Sequence, residues 1–103
     1  MWDRPLTWMP EARVLVRGPH ALIFTVMESK LFHALWKARD QGLAGLSTPQ
    51  LFNEMYGLRS DGGPESGNNI PQFASIVRRK IKPFGLSIKP SHRWAGLYSL
   101  IGR

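Results

Sequence analysis

The sequence predicts a small α+β domain, with three helices between an N-terminal β-hairpin and a second β-hairpin at the C-terminus. Two short aliphatic runs bounded by Gly and Pro lie towards each end of the chain, which is typical of hairpins. The middle carries stretches whose apolar residues recur at helical spacing. A length of 103 residues with 43% hydrophobic content suits one domain with a small core. We assign residues 12–103 to this domain and residues 1–11 to an N-terminal tail.

The tail contains two tryptophans, Trp2 and Trp8. Pro5 and Pro10 exclude a regular helix here. Two large aromatic side chains so close together are costly to leave in water. We therefore expect the tail to lie across its own domain or across a partner subunit.

The first hairpin and the first helix follow directly. Residues 12–17 and 21–24 are the predicted strands, and Gly-Pro-His forms the turn between them. The helix covers residues 25–39, because Thr25 and Glu28 fit a capping box and an apolar stripe follows. The stripe consists of Met27, Leu31, Ala34, Leu35 and Ala38.

A short second helix is predicted over residues 48–56. Ser47 or Thr48 caps it, and a proline occupies its first turn. Residues 43–46 before it form a brief strand or a bend. Residues 58–67 after it form a polar loop rich in Gly, Ser and Pro.

The third helix, residues 69–82, is amphipathic and contains no acid. Its apolar residues at i, i+3, i+4, i+7 and i+11 form one face. The other face carries polar and basic side chains. The apolar positions are Ile70, Phe73, Ala74, Val77 and Ile81.

The C-terminal hairpin consists of strands at residues 86–89 and 96–101, with its tip at residues 91–94. A short helix, a polar loop and a basic helix make a helix-turn-helix pattern. The closing hairpin then corresponds to a wing, so the predicted fold is a winged helix-turn-helix.

Four segments carry a likeness to a known family. They are Phe24-Thr25-Val26-Met27-Glu28 with Leu31, Phe32 and Leu35; Ser47 to Leu51 with Met55-Tyr56-Gly57; Ser75-Ile76-Val77-Arg78-Arg79-Lys80-Ile81; and Leu86-Ser87-Ile88 with Arg93 and Gly96-Leu97-Tyr98-Ser99-Leu100. In this order they resemble the first, second and recognition helices and the wing of OmpR/PhoB-type response regulators.

The resemblance implies a winged-helix domain that binds double-stranded DNA and regulates transcription. It also implies an N-terminal sheet of more than two strands. Only about ten residues precede the first predicted strand, so we expect a stand-alone domain without a receiver domain. Ile76 stands where the family often has an arginine that contacts bases. A bacterial or phage-encoded protein of the cytoplasm, associated with the nucleoid, is expected.

Charge supports an anionic partner, since the net charge is +7. In the major groove, Gln and Asn can bond adenine, Arg can bond guanine, and Ile can touch a thymine methyl. Helix 69–82 is predicted to enter this groove and the wing, residues 87–100, to touch the minor groove or backbone. Predicted base contacts are Asn69, Gln72, Ser75, Ile76 and Arg79; predicted phosphate contacts are Thr48, Arg78, Lys80, Lys82, Lys89 and His92; Arg93 is the minor-groove candidate. Two copies could pair on DNA.

Other functions have weaker support. The chain has no cysteine, and its three histidines lie in separate elements, so no metal or cofactor is expected. No nucleophile stands beside a His–acid pair, which argues against an enzyme. No membrane span and no small-molecule site is evident. The alternative is a protein–protein interaction module that uses Trp2, Trp8 and the hairpin; a small nuclease or RNA-processing factor is a third reading.

Overall fold

The computed structural model describes residues 6–43, 45–56, 69–90 and 97–102. Within these ranges the chain forms three α-helices and two three-stranded antiparallel sheets, which confirms the α+β class. The elements in chain order are β1 (Leu6–Met9), β2 (Val14–Arg17), β3 (His20–Ile23), α1 (Val26–Asp40), β4 (Leu46–Ser47), α2 (Thr48–Tyr56), α3 (Asn69–Ile81), β5 (Leu86–Pro90) and β6 (Leu97–Gly102).

The N-terminal sheet has the order β1-β2-β3, so it is not the two-stranded hairpin that we predicted. The β2–β3 hairpin is present, with Arg17 opposite His20. The additional strand, β1, comes from the predicted tail and pairs Leu6 with Arg17 and Met9 with Val14. Prolines on both sides of β1 prevent a helix but leave the residues between them free to extend along the open edge of β2.

Helix α1 begins with the predicted capping box. The Glu28 N–H donates to Thr25 Oγ1 at 3.3 Å, and the Thr25 N–H donates to Glu28 Oε1 at 3.0 Å. Two backbone donors that the first turn would otherwise leave unsatisfied are thereby paired. The apolar stripe of α1 faces the core as predicted, with Leu31 and Leu35 almost fully buried.

Helix α2 has the predicted bounds, and Ser47 rather than Thr48 caps it. The Gln50 N–H donates to Ser47 Oγ at 3.3 Å, and the Ser47 N–H donates to Gln50 Oε1 at 2.8 Å. Ser47 also belongs to β4, which pairs with β6 in the second sheet of order β4-β6-β5. The short helix is therefore attached through its N-cap residue to the C-terminal sheet.

Helix α3 passes into the C-terminal hairpin through a 3₁₀ turn over Lys82–Phe84. Pro83 lies inside this turn, and Gly85 follows it with φ of 80°, a left-handed conformation that glycine adopts without steric cost. Strand β5 then pairs with β6 along its whole length, from Leu86 opposite Gly102 to Pro90 opposite Tyr98. The hairpin therefore starts immediately beside the C-terminal end of α3.

One hydrophobic core joins the helices to both sheets. Its largest fully buried side chains are Leu15, Phe24, Leu31, Phe32, Leu35, Leu51, Met55, Ile70, Val77, Ile81 and Ile88. Since α3 contributes three of these, its orientation is fixed by core packing rather than by its own helical propensity.

Trp8 packs on its own domain, one of the two positions that we expected for the N-terminal segment. Its ring lies edge-on to Phe32 at 4.8 Å and to Phe24 at 5.7 Å between ring centroids. Its Nε1–H donates to Nδ1 of His33 at 3.0 Å. Trp2 lies outside the described residues.

Arg17 joins the N-terminal sheet to the end of α3. Its side chain is 3% exposed, and its Nη1 donates to the carbonyl oxygen of Phe84 at 2.6 Å. Hydrogen bonds from a charged donor are among the stronger ones in proteins. This contact holds the 3₁₀ turn, and with it the start of the hairpin, against the first sheet.

Candidate nucleic-acid interface

Helix α3 has a buried side and an exposed side, as the sequence predicted. Its buried side consists of Ile70, Ala74, Val77 and Ile81, each at most 5% exposed. Gln72, Arg78 and Arg79 are exposed on the other side, Ser75 is half-buried, and Ile76 is 40% exposed. The two side chains on which the groove hypothesis most depends, Gln72 and Arg79, are therefore accessible to a partner.

Successive residues of a helix are rotated by about 100° about its axis, so the exposed side of α3 divides into a crest and two flanks. Gln72 and Arg79 lie on the crest, opposite the buried residues. Ser75, Arg78 and Lys82 lie on the flank towards β5. The other flank faces α1 and carries Lys80.

A surface groove of about 440 Å³ runs between the β5-side flank and β5 itself. It is lined by Ser75, Arg78, Arg79, Lys82 and Ser87. Three of these side chains carry a positive charge and two carry a hydroxyl group, and none of the described residues that line the groove is acidic. Such a lining attracts anions and offers them hydrogen-bond donors.

Ser87 was not among the residues that we predicted to contact DNA. Leu86 and Ile88 on either side of it are each 2% exposed, whereas Ser87 is half-buried and Lys89 is exposed. Side chains of a strand alternate between its two faces. That alternation in the sequence Leu-Ser-Ile-Lys places Ser87 and Lys89 on the outer face, and it could have identified Ser87 as accessible.

Lys80 differs from the other cations of α3, because its Nζ lies 2.7 Å from Oε1 of Glu28 on α1. The Glu28 side chain is 7% exposed and the Lys80 side chain 35% exposed. Burial alone would raise the pKa of Glu28, but hydrogen bonds from Lys80 and the Thr25 N–H outweigh it and hold the pKa below its ordinary value. Glu28 therefore stays ionised, and it holds the ammonium group that we predicted to contact a phosphate.

This ion pair makes Lys80 a poor phosphate contact. A phosphate would have to compete with a carboxylate that is already hydrogen-bonded in place. The pair instead connects the first turn of α1 to the last turn of α3, so we assign Lys80 to holding α3 in position rather than to the interface.

The remaining predicted contacts have diverse surroundings. Thr48 is half-buried at the start of α2, and Lys89 is exposed on β5. Asn69 is the first residue of α3, but its side chain lies outside the described part of the structure, as do His92 and Arg93. The interface that can be built from described side chains therefore consists of α3 and β5, with Thr48 at the start of α2 as the predicted contact outside them.

His33 on α1 is held by a hydrogen bond from Trp8 and is not among the described side chains that line the groove. Its Nδ1 accepts the hydrogen bond from Trp8, so its proton is on Nε2 in the neutral ring. Burial lowers the pKa of His33, Lys37 lowers it further, and Glu54 opposes the effect. The side chain serves to hold Trp8, which is half-buried against its own domain.

No family model matches the chain, and no match is found among curated proteins. Within the described ranges, none of the helices has the length and apolar character that crossing a bilayer requires. The same ranges hold no group of three or more His or acidic side chains placed to share a metal ion.

Proposed function

We propose that this protein binds double-stranded DNA and regulates transcription, with α3 in the major groove and the β5–β6 hairpin beside it as a wing. The observation that carries the proposal is the exposed side of α3, whose described side chains together with those of β5 include cations, hydroxyls and the amide of Gln72 but no acid. The arrangement of α2, α3 and the hairpin is compatible with a small winged-helix-like fold, and the likeness to OmpR/PhoB-type domains rests on the sequence segments alone.

The crest of α3 supplies the chemistry for base recognition. Gln72 can pair bidentately with adenine and Arg79 with guanine, and Ile76 beside them can contact a thymine methyl group. These side chains lie within two turns of one another on the exposed side of α3, and two turns is the length that spans a few base pairs in the major groove. We assign Arg78, Lys82 and Lys89 to backbone phosphates, which position the helix without reading sequence.

Selection of bound sites from random duplexes at physiological salt tests this proposal. We expect a recurring motif, and a motif made of two half-sites would indicate that two copies bind together. If about six phosphates are neutralised, the logarithm of the binding constant falls with the logarithm of salt concentration at a slope of about −5. Absence of both a motif and a salt-dependent affinity for duplex would overturn the proposal.

Variants of the crest separate base recognition from general attraction to DNA. Gln72→Ala and Arg79→Ala should each relax the preference at one position of the selected motif, at a cost of about 1–3 kcal/mol on the preferred site. Gln41→Ala is the matched control, because Gln41 is an exposed glutamine at the C-terminal end of α1. If Gln72→Ala changes the selected motif no more than Gln41→Ala does, the assignment of Gln72 to a base is wrong.

A further inference from the structure

The groove between α3 and β5 differs from the crest of α3, because its lining consists of cationic and hydroxyl side chains and it lies beside the wing strand. Ser75, Arg78 and Lys82 stand at i, i+3 and i+7, so they form a row along the β5-side flank that continues into the 3₁₀ turn, and Arg79 of the crest lies at its rim. Ser87 on β5 provides the opposite wall. The row and the wall belong to elements that the core holds rigidly, since Val77, Ile81 and Ile88 behind them are at most 2% exposed.

We propose that this groove holds one phosphodiester group of the DNA backbone, an inference that rests on the proposed DNA-binding function. A phosphodiester carries one negative charge and two terminal oxygens that accept hydrogen bonds. The groove offers it two guanidinium groups, one ammonium group and two hydroxyl donors. Arginine forks match the geometry of phosphate oxygens, and a half-buried hydroxyl such as that of Ser87 loses little freedom when it donates.

Two of the predicted base contacts, Ser75 and Arg79, acquire other roles if the groove holds a phosphodiester. Ser75 lies in the groove, so it becomes a backbone contact. Arg79 lies both on the crest and at the rim of the groove, next to the phosphate that the groove would hold. The C-terminal half of α3 then fixes the register of the helix on DNA, and Gln72 and Ile76 are left with most of the sequence reading.

Binding to duplexes in which single phosphates are replaced by uncharged methylphosphonates tests the groove directly. Replacing the phosphate in the groove should weaken binding of the wild-type protein by about tenfold, the value of one charge-assisted contact. Lys82→Gln and Ser87→Ala should each weaken binding to the unmodified duplex, and both should show a smaller further loss at that same methylphosphonate. Lys82→Gln should also reduce the salt slope by about 1.

Two control variants remove the same chemical groups as Lys82→Gln and Ser87→Ala, but from positions outside the groove. Lys37→Gln removes one charge from an exposed position on α1, and Thr7→Ala removes one hydroxyl from an exposed position on β1. Thermal unfolding of every variant establishes that it is folded, and Arg78→Gln replaces any groove variant that is not. Both controls should bind like the wild type and keep its full sensitivity to the methylphosphonate.

The outcomes distinguish a failure of the groove inference from a failure of the proposed DNA-binding function. If the wild type binds duplex but the groove variants lose no more affinity than the controls, the groove inference is overturned and DNA binding stands. The same holds if no single methylphosphonate shows a loss that depends on Lys82 or Ser87. If the wild type does not bind duplex at all, the proposed function fails and the groove inference with it.

Discussion

Removing the ion pair between Glu28 and Lys80 should destabilise the protein and loosen α3 from α1. Glu28→Gln keeps an oxygen that can accept the Thr25 N–H but loses the charge that holds Lys80 at 2.7 Å. The pair is partly exposed on the lysine side, so its value lies at the upper end of the 0–1 kcal/mol of surface pairs and well below that of buried ones. We expect Glu28→Gln to lower the free energy of unfolding by about 1 kcal/mol.

Glu28→Ala should cost about twice as much, roughly 2 kcal/mol, because it also removes the capping bond to the Thr25 N–H. For a domain of this size, that loss lowers the melting temperature by roughly 8–16 °C. Lys80→Met keeps the length of the side chain and removes the charge, so the double variant Glu28→Gln/Lys80→Met closes a double-mutant cycle. The cycle should give a coupling free energy of about 1 kcal/mol.

Urea unfolding followed by circular dichroism measures these values, and its pH dependence supplies a second check. The pKa of Glu28 is lower in the folded chain, so its contribution is fully present above the ordinary value of 4.5 and is lost as pH falls through the folded pKa. The difference between wild type and Glu28→Gln should therefore shrink in acid. A coupling free energy near zero at neutral pH, or a difference that does not shrink, would refute the role assigned to the pair.

Two further predictions concern other contacts of the fold. The pKa of His33 is lowered below 6.5 in the folded chain, so its contribution to stability is present above that value and is lost as pH falls through the folded pKa. As pH falls from about 8 to about 5, the wild type should lose stability relative to His33→Leu, because protonation of Nδ1 ends its role as acceptor for Trp8. Parallel curves of unfolding free energy against pH for the two proteins would contradict this. Gly102→Ala should destabilise by about 2 kcal/mol or more, since Gly102 has φ of 92° and an added Cβ would strike the carbonyl oxygen of Gly85. Gly42 has φ of 76° and open space around it, so Gly42→Ala should cost about 1 kcal/mol. Equal losses for Gly42→Ala and Gly102→Ala on thermal unfolding would show that the collision is absent.

The local features of the fold follow from residues that are close in sequence. The capping box of α1 needs Thr25 and Glu28 only, and both of its hydrogen bonds are formed. The buried side of α3 follows from apolar residues at helical spacing, which holds for any helix of that sequence. The bounds of α2 also agree with the prediction, because a cap and a proline mark the start of that helix within its own sequence.

Contacts between distant residues could not be predicted in the same way. Nothing local distinguishes Lys80 from Arg79 as a surface cation, yet packing turns Lys80 towards Glu28, 52 residues away. Trp8 was expected to be covered, but its partner His33 becomes identifiable only once α1 is packed against the N-terminal segment. Strand β1 likewise could not be predicted from its own residues, because an extended segment becomes a strand only by pairing with the edge of another strand.

The sequence by itself therefore determined which segments are helical, which face of each helix is apolar, and that α3 carries cations without acids. The tertiary structure decided which of those cations remain available, since it pairs Lys80 with Glu28 and places Arg78, Arg79 and Lys82 around one groove with Ser87. The physical reason is that a helix forms from contacts three and four residues apart, whereas the groove requires two elements to be held side by side by the core that they share.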